Sequence, residues 1–496
     1  MNRSILVVDF GTSNVHINVV DVESGDIPFS TSRKYPMISP QSGYIELDPE
    51  EMWKKSEEGV EAILSEVTKC NENSKNQYKI EALSFSYFGD NIIPVDEKGN
   101  AQYHLLQCFD ERGKDQAKYL NETLGESVLI QKTGDASEFT SCSSKIRYIL
   151  EEMKDVSENT KKFYNIQQYI LSKLGLPDVN DITMACTKRM VDLKNQTWYE
   201  PLVEAVGIKP DQLGKIVLPT EVIGEIENYG QVKFPNKVKV VPGAHDCDCG
   251  WLGVGICDEK ENVIGNITGT FEHFGYLADG YQNTYADHPE WEMFSYRGPL
   301  EDTSVVLTAF DTSGALLEWF MRELNGDTSG EAYKNYWEAA KFDGKNPVKV
   351  RPDFSSGQGK IEGLTLGNTK LDIFKAVIES LTFESRIMVE LCEQAKQGDV
   401  QTVRMGGGHA KSPEWVQFRA DVTGKTYECM EQLEVSSVGA AILAAVGVGI
   451  YKDASEAIKH MVQIQKVYYP NEEVHELYED VYQEYLNMYQ KRRINV

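Results

Sequence analysis

The chain has 496 residues, too many for one hydrophobic core, so at least two domains are expected. Its composition, 41% apolar and 26% charged, is that of an ordinary globular protein and excludes extended disorder. Lys and Arg total 50 against 77 Asp and Glu, a formal net charge of −27. That balance argues against a nucleic-acid partner, and any bound polyphosphate needs local help from backbone amides, a cation or a helix N-terminus.

No stretch has the length and apolarity of a membrane span, and the first residues run into a strand pattern without the apolar core of a signal peptide. A cytoplasmic location with no membrane partner is the expectation. The nine cysteines are odd in number and lack a disulfide rhythm, which fits reduced thiols.

In chain order, residues 5–9 form a short apolar run ending in Asp9, residues 10–14 a turn, and residues 15–20 an alternating strand. This pattern predicts a β-hairpin. Residues 237–241 read as a strand, and residues 247–255, rich in small side chains, as a close-packed helix. Cys247 and Cys249 lie there, but a zinc site needs a second cluster, and none is evident. Residues 263–267, the turn at Gly269 and Thr270, and residues 271–277 predict a second hairpin, so the two halves look like a duplicated architecture. Helices are predicted around 316–321, 371–392 and 438–445. Val474, Leu477, Val481, Tyr485 and Met488 then mark the apolar face of a C-terminal amphipathic helix.

Phosphoryl transfer to an alcohol needs an acid to take the hydroxyl proton, a cation on the phosphates and amides to hold them. Asp9, at a strand end, offers an oxygen ligand for Mg²⁺. Gly11, Thr12 and Ser13 offer a turn that a phosphate can approach closely, and Gly269 and Thr270 offer another. Each motif alone also fits a simple hairpin. Asp246 stands where a strand gives way to a helix, as a general base or as a helix cap. Residues 405–412 carry three consecutive glycines before a helix, a bend on which a flat ring can lie or a plain loop.

Taken together these residues resemble the FGGY family of carbohydrate kinases. Residues 359–364 (Gly-Lys-Ile-Glu-Gly-Leu) and 372–379 (Asp-Ile-Phe-Lys-Ala-Val-Ile-Glu) match its C-terminal signature. Residues 406–421 are similar to its adenosine-side segment, residues 436–441 to the helix that follows, and residues 46–53 to its early Asp-Pro-Glu segment. The resemblance implies an α/β protein of two actin-like, ribonuclease H-like domains with a cleft between them. Residues 1–254 would form the sugar side with the base, and residues 255–496 the ATP side. It implies phosphate contacts at Gly11, Thr12, Ser13, Gly269 and Thr270, adenosine contacts at Gly407 and Gly408, Asp246 as base and Mg²⁺-linked acid, and Asp9 as a further Mg²⁺-linked acid.

Within the family, Phe88, Gly89, Asp90 and Asn91, with residues 243–246, resemble the fuculose and rhamnulose kinase branch. A ketose or deoxyketose, of fuculose, rhamnulose or xylulose type, is therefore expected to meet His16, Phe88, Asp90, Asn91, His245 and Asp246. Departures from the family pattern include His16 in place of Arg or Lys, and Asn91 in place of Asp. Asp110 and Arg112 resemble a sugar-side run or form a structural ion pair. The implied partners are a sugar and ATP, with a homodimer as the family expectation. The rival reading is a catalytically impaired, actin-like protein that binds sugar and nucleotide in a regulatory role.

Overall fold

The computed structural model describes residues 2–269, 271–291, 293–310, 312–354 and 357–493, with side chains described as far as residue 487. Thr270 and the side chain of Met488, both singled out above, lie outside the described residues. The chain divides into two compact units that are not continuous in sequence. One comprises Met1–Glu259, Leu277–Val306 and Glu434–Gln463; the other comprises Lys260–Tyr276, Leu307–Leu433 and Ile464–Val496.

The first unit is built on a mixed sheet. Its strands are β1 (Asn2–Phe10), β2 (Asn14–Asp21), β3 (Phe29–Lys34), β4 (Tyr78–Tyr87), β5 (Gly224–Tyr229), β6 (Val232–Val240) and the short β7 (Ala244–His245). The order is β5-β6-β4-β1-β2-β3, with β7 also on β4. β1 and β2 form the predicted hairpin, and β1 runs parallel to β4. Residues 5–8 are apolar without interruption because both faces of β1 are covered. Helix α1 (Pro49–Asn73) packs on β2 and β3; Asp48 caps it by accepting from the Glu50 amide at 2.9 Å, and Pro49 opens its first turn. Two small-residue helices, α2 (Asp246–Gly253) and α3 (Val435–Gly447), pack together, and α3 also lies on β1 and β4. The buried Asn18 side chain donates to Ser437 at 2.8 Å and ties β2 to α3.

The second unit repeats this logic. β8 (Val263–Thr268) pairs antiparallel with β9 (Glu272–Asp279) and parallel with β10 (Thr402–Gly407), which pairs parallel with β11 (Thr426–Met430); β12 (Ile464–Tyr468) closes that edge. In each unit a hairpin is extended by parallel strands beside its first strand, so the duplication read from the sequence is present as topology. The helix predicted near 316–321 is α4 (Ser313–Trp319), and the chain then widens into a π-helical turn, Phe320–Asn325. The next two predicted or resembled helices are α5 (Lys370–Lys396) and α6 (Pro413–Thr423).

The C-terminal helix α7 (Glu472–Arg493) is present, and its predicted face is buried in part, with Val474 and Val481 half-buried. Tyr485 is buried as expected, but Leu477 is 47% exposed, and Tyr478 and Tyr482, which the apolar spacing passed over, are buried. The reason is polar: the hydroxyls of Tyr478 and Tyr482 donate to Glu379 at 2.8 Å and Glu390 at 2.6 Å, and that of Tyr485 donates to Glu384, all on α5. Tyrosine buries its ring when its hydroxyl finds a partner, a condition invisible to an apolar count. No helix among the described residues is long and apolar enough to cross a membrane. All nine cysteines are free thiols.

Candidate active site

Parallel strands bring the ends of β1, β4 and β7 to one edge of the first sheet, where ligands of α/β sheets bind. Asp9 lies opposite His16 on β2 and Ser86 on β4, and His245 lies opposite Tyr87. Burial pushes the Asp9 carboxyl up to about 6; the Ser86 hydroxyl and His16 pull it down, while Asp246 and Glu434 push it up. Asp9 and Asp246 thus share one electrostatic neighbourhood.

Asp246 opens α2. Its Oδ1 accepts from the Cys247 amide at 2.7 Å and lies 3.2 Å from His245 Nε2. The side chain is 37% exposed, so it can meet a ligand. On the other side of the ring, Nδ1 lies 3.2 Å from Oδ2 of the fully buried Asp248. Burial lowers the His245 pKa, but Asp246, Asp248 and Asp90 outweigh it and hold the imidazolium up to about 9. His245 is therefore hydrogen-bonded to Asp248 and ion-paired with Asp246, and it holds Asp246 in place by charge.

The Phe88–Asp90 turn lies against this ring. The buried Phe88 donates its amide to Phe10 O at 3.0 Å, and a Cβ on Gly89 would stand 2.9 Å from His245 Nε2, so that position needs glycine. Asp90 has φ 53° and faces Arg189, with Oδ1 3.4 Å from Nε. Asn91 is set apart from the other sugar-side residues. It is fully buried, its Nδ2 donates to Phe88 O at 2.8 Å and Gly89 O at 3.3 Å, and its Oδ1 accepts from the Ile166 amide at 2.8 Å. Its polar atoms hold the turn, unlike those of the partly exposed Asp90 beside it. Asp110 and Arg112 form a buried bidentate pair at 2.8 and 2.6 Å, joined by Glu46 at 2.8 Å, which is the structural alternative.

At the β1–β2 turn the Gly11 amide donates to Asn14 O at 2.9 Å, and the Tyr35 hydroxyl donates to Gly11 O. Thr12 and Ser13 are exposed at the tip. His16 stands 2.6 Å from Asn14 Nδ2, a contact the sequence reading did not anticipate. Asp9 and Asp246 offer the hard oxygen donors that suit magnesium, and their mutual repulsion is the kind a cation relieves. Among the described residues, His245, Asp246 and Cys247 also bring ligand atoms within 4.8 Å of one another. An imidazolium held by two carboxylates, together with a thiol, is the wrong donor set for a hard cation.

In the second unit, Gly407 has φ 93°, and a Cβ there would lie 2.0 Å from Thr268 O. The Thr268 hydroxyl donates to Gly406 O at 2.9 Å and accepts from the His409 amide at 3.1 Å. The turn after β8 and the glycine bend after β10 are thereby locked side by side. Gly269 is exposed, with its amide donated to Phe271 O at 2.8 Å, and a Cβ on Gly408 would meet only open space. Beneath them lies a buried polar cluster that the sequence did not single out. Arg419 grips Glu272 with both terminal nitrogens, one at 3.0 Å, and Asn266 donates to Glu272 at 3.0 Å. Ser313 donates to Glu272 as well. Burial would raise the Glu272 pKa, but Arg419 overrides it and holds the carboxyl down at about 2. Burial lowers the neighbouring His409 to about 4, with Glu272 opposing and Arg419 assisting.

Comparison with known proteins gives the following. The model of the N-terminal domain of the FGGY family of carbohydrate kinases matches residues 4–253, and that of the C-terminal domain matches residues 312–448. A xylulose kinase of Staphylococcus xylosus is 23% identical over 98% of this chain and 99% of its own length. The crystal structure of a gluconate kinase from Lactobacillus acidophilus superposes with a TM-score of 0.85 at 22% identity, covering 99% of this chain and 98% of that one. A ligand-bound xylulose kinase from the same organism gives the same TM-score and identity, with 99% of each chain covered. These likenesses show the two-domain actin-like fold.

Proposed function

Because the chain belongs to the FGGY family of carbohydrate kinases, phosphotransferases with an alcohol group as acceptor, we propose that it transfers the γ-phosphoryl group of Mg²⁺-ATP to a hydroxyl of a ketose or deoxyketose. The observation that carries the reading is Asp246, partly exposed at the head of α2 and aimed by His245 at 3.2 Å. Asp246 accepts the proton as the acceptor oxygen attacks phosphorus. His16, Phe88, Asp90 and His245 surround the sugar, while Asn91 acts through the turn it holds. Gly11, Thr12 and Ser13 in the first unit are assigned to phosphate, as are Gly269 and Thr270 in the second, and Gly407 and Gly408 to adenosine. Asp9 and Asp246 would hold magnesium, which supplies charge neutralisation at the phosphates. Residues 1–254 are assigned to the sugar side and residues 255–496 to the ATP side. The xylulose kinase relative, matched along nearly its whole length, supports a ketose as acceptor.

The test is coupled ADP release with Mg²⁺-ATP across ketoses, polyols, glycerol and aldonates. Acceleration by a ketose, lost in Asp246→Asn, supports the reading. Release indifferent to every acceptor, or unchanged in Asp246→Asn, contradicts it.

A further inference from the structure

Five non-glycine residues among those described have positive φ, and two of them, Asp90 (53°) and Arg189 (54°), are ion-paired to each other. Each is pinned by its sequence neighbour. Asn91 fastens the backbone beside Asp90, as described above. Lys188, fully buried, donates from Nζ to Phe163 O at 2.9 Å and Gln168 Oε1 at 2.6 Å beside Arg189. A second buried lysine, Lys145, reaches Asp90 O at 3.3 Å, Cys108 O at 2.9 Å and Thr140 O at 2.8 Å. The backbones are thus fixed from behind, while the side chains of Arg189 and Asp90 remain 26% exposed and that of Asp135 17%.

Arg189 contacts two carboxylates, Asp90 through Nε and Asp135 through Nη1. Two of its five N–H donors are therefore engaged among the described residues. Asp90 belongs to the same neighbourhood as the base: its turn rests on His245, and its charge acts on His245 and Cys247. The pair is thus partly exposed, conformationally held and, through Asp90, electrostatically coupled to His245, the partner of Asp246.

We propose that Arg189, clamped between Asp90 and Asp135, sets acceptor specificity by taking neutral polyhydroxylated sugars and turning away sugar acids. The remaining guanidinium N–H groups donate to acceptor hydroxyls, and the carboxylates accept from them. The two carboxylates outweigh the single arginine charge, and the exposed Glu138 adds a third negative charge nearby. A ligand carboxylate entering there meets net repulsion, whereas a diol meets alternating donors and acceptors. The inference rests on the acceptor-site reading above and deepens it.

The experiment compares D-xylulose and L-ribulose with D-xylonate and D-gluconate. It reads kcat/KM from ADP release and, in parallel, the ligand-induced shift in Tm. Wild type, Asp135→Asn, Arg189→Gln and Arg189→Lys are tested. The expected result is that wild type prefers a ketose, and that Asp135→Asn raises the aldonate-to-ketose ratio about tenfold or more, the effect of about 1.4 kcal/mol in differential binding. Arg189→Gln should raise KM for the ketose more than it lowers kcat, with partial recovery in Arg189→Lys. A wild-type preference for an aldonate overturns the proposal. So does a ratio unmoved by Asp135→Asn and Arg189→Gln while Tm falls, the signature of a purely structural pair. Ligand-induced Tm shifts without ADP release would instead sink the kinase reading, and their acid-to-neutral ratio would still judge the specificity.

Discussion

Asp246 and Asn91 show how differently two neighbouring candidates in the same site behave. Asp246→Asn keeps the shape of the side chain and its contact with His245 but removes proton acceptance. The expected loss in kcat is about 10²–10⁴-fold, with sugar-induced Tm shifts retained. Steady-state kinetics beside thermal shift would check this, and loss of both together would make Asp246 a structural residue. Asn91 departs from the branch motif, which has Asp. Asn91→Asp restores the motif yet destroys the donor that serves the buried Phe88 and Gly89 carbonyls. It should cost about 1–3 kcal/mol of stability, because a buried carbonyl left unbonded pays its desolvation. Urea unfolding decides: equal or greater stability in Asn91→Asp would refute the clamp. Sequence alone supplied Asp9, Asp246 and His245 because each lies in a short recognisable string. It did not supply Arg189, whose partners are 99 and 54 residues away and meet it only in the folded chain.

The glycine bend after β10 owes its shape to what lies under it. Glu272 and Arg419 are both buried, on β9 and α6, and their pair anchors the strand and helix that carry the two loops. Glu272→Gln would leave a buried, uncompensated guanidinium, and the expected loss is about 3–5 kcal/mol. Replacing both partners by apolar residues, Glu272→Leu with Arg419→Met, should recover most of that loss, since the burial cost of both charges disappears together. Denaturant curves of the single and double variants test this, and simple additivity would refute the coupling. At this scale the hairpins and long helices were legible from periodicity. The cluster was not, since Glu272 and Arg419 read as members of separate motifs. Tyr478 and Tyr482 of α7 were missed for a related reason: they pack because glutamates on α5 receive their hydroxyls.

For the molecule as a whole, the buried ionisable groups of the second unit give a pH signature. His409 is neutral in the fold, with its pKa depressed from 6.5 to about 4, so the unfolded chain binds the proton more readily. The stability this contributes is complete above pH 6.5 and is lost as pH falls through 6.5 toward 4, on the order of 3 kcal/mol. Glu272, held down at about 2 from 4.5, adds a second loss below pH 4.5. Tm measured against pH should therefore fall first from pH 6.5, and His409→Gln should flatten that limb while leaving the lower one. An unchanged upper limb in His409→Gln would contradict the assignment. The duplicated architecture was legible because each half repeats a hairpin with a glycine turn. The grouping of Leu277–Val306 and Glu434–Gln463 with the first unit was not, since it depends on packing rather than on order along the chain. The central claim, that this family member moves phosphate onto a sugar hydroxyl with Asp246 as base, is tested most directly by phosphorus NMR of Mg²⁺-ATP mixed with the enzyme and each ketose. A new phosphomonoester resonance should grow as the γ-phosphate signal decays, with wild type and not with Asp246→Asn. Decay of ATP to ADP and inorganic phosphate alone, or no decay with any acceptor the protein binds, would contradict it.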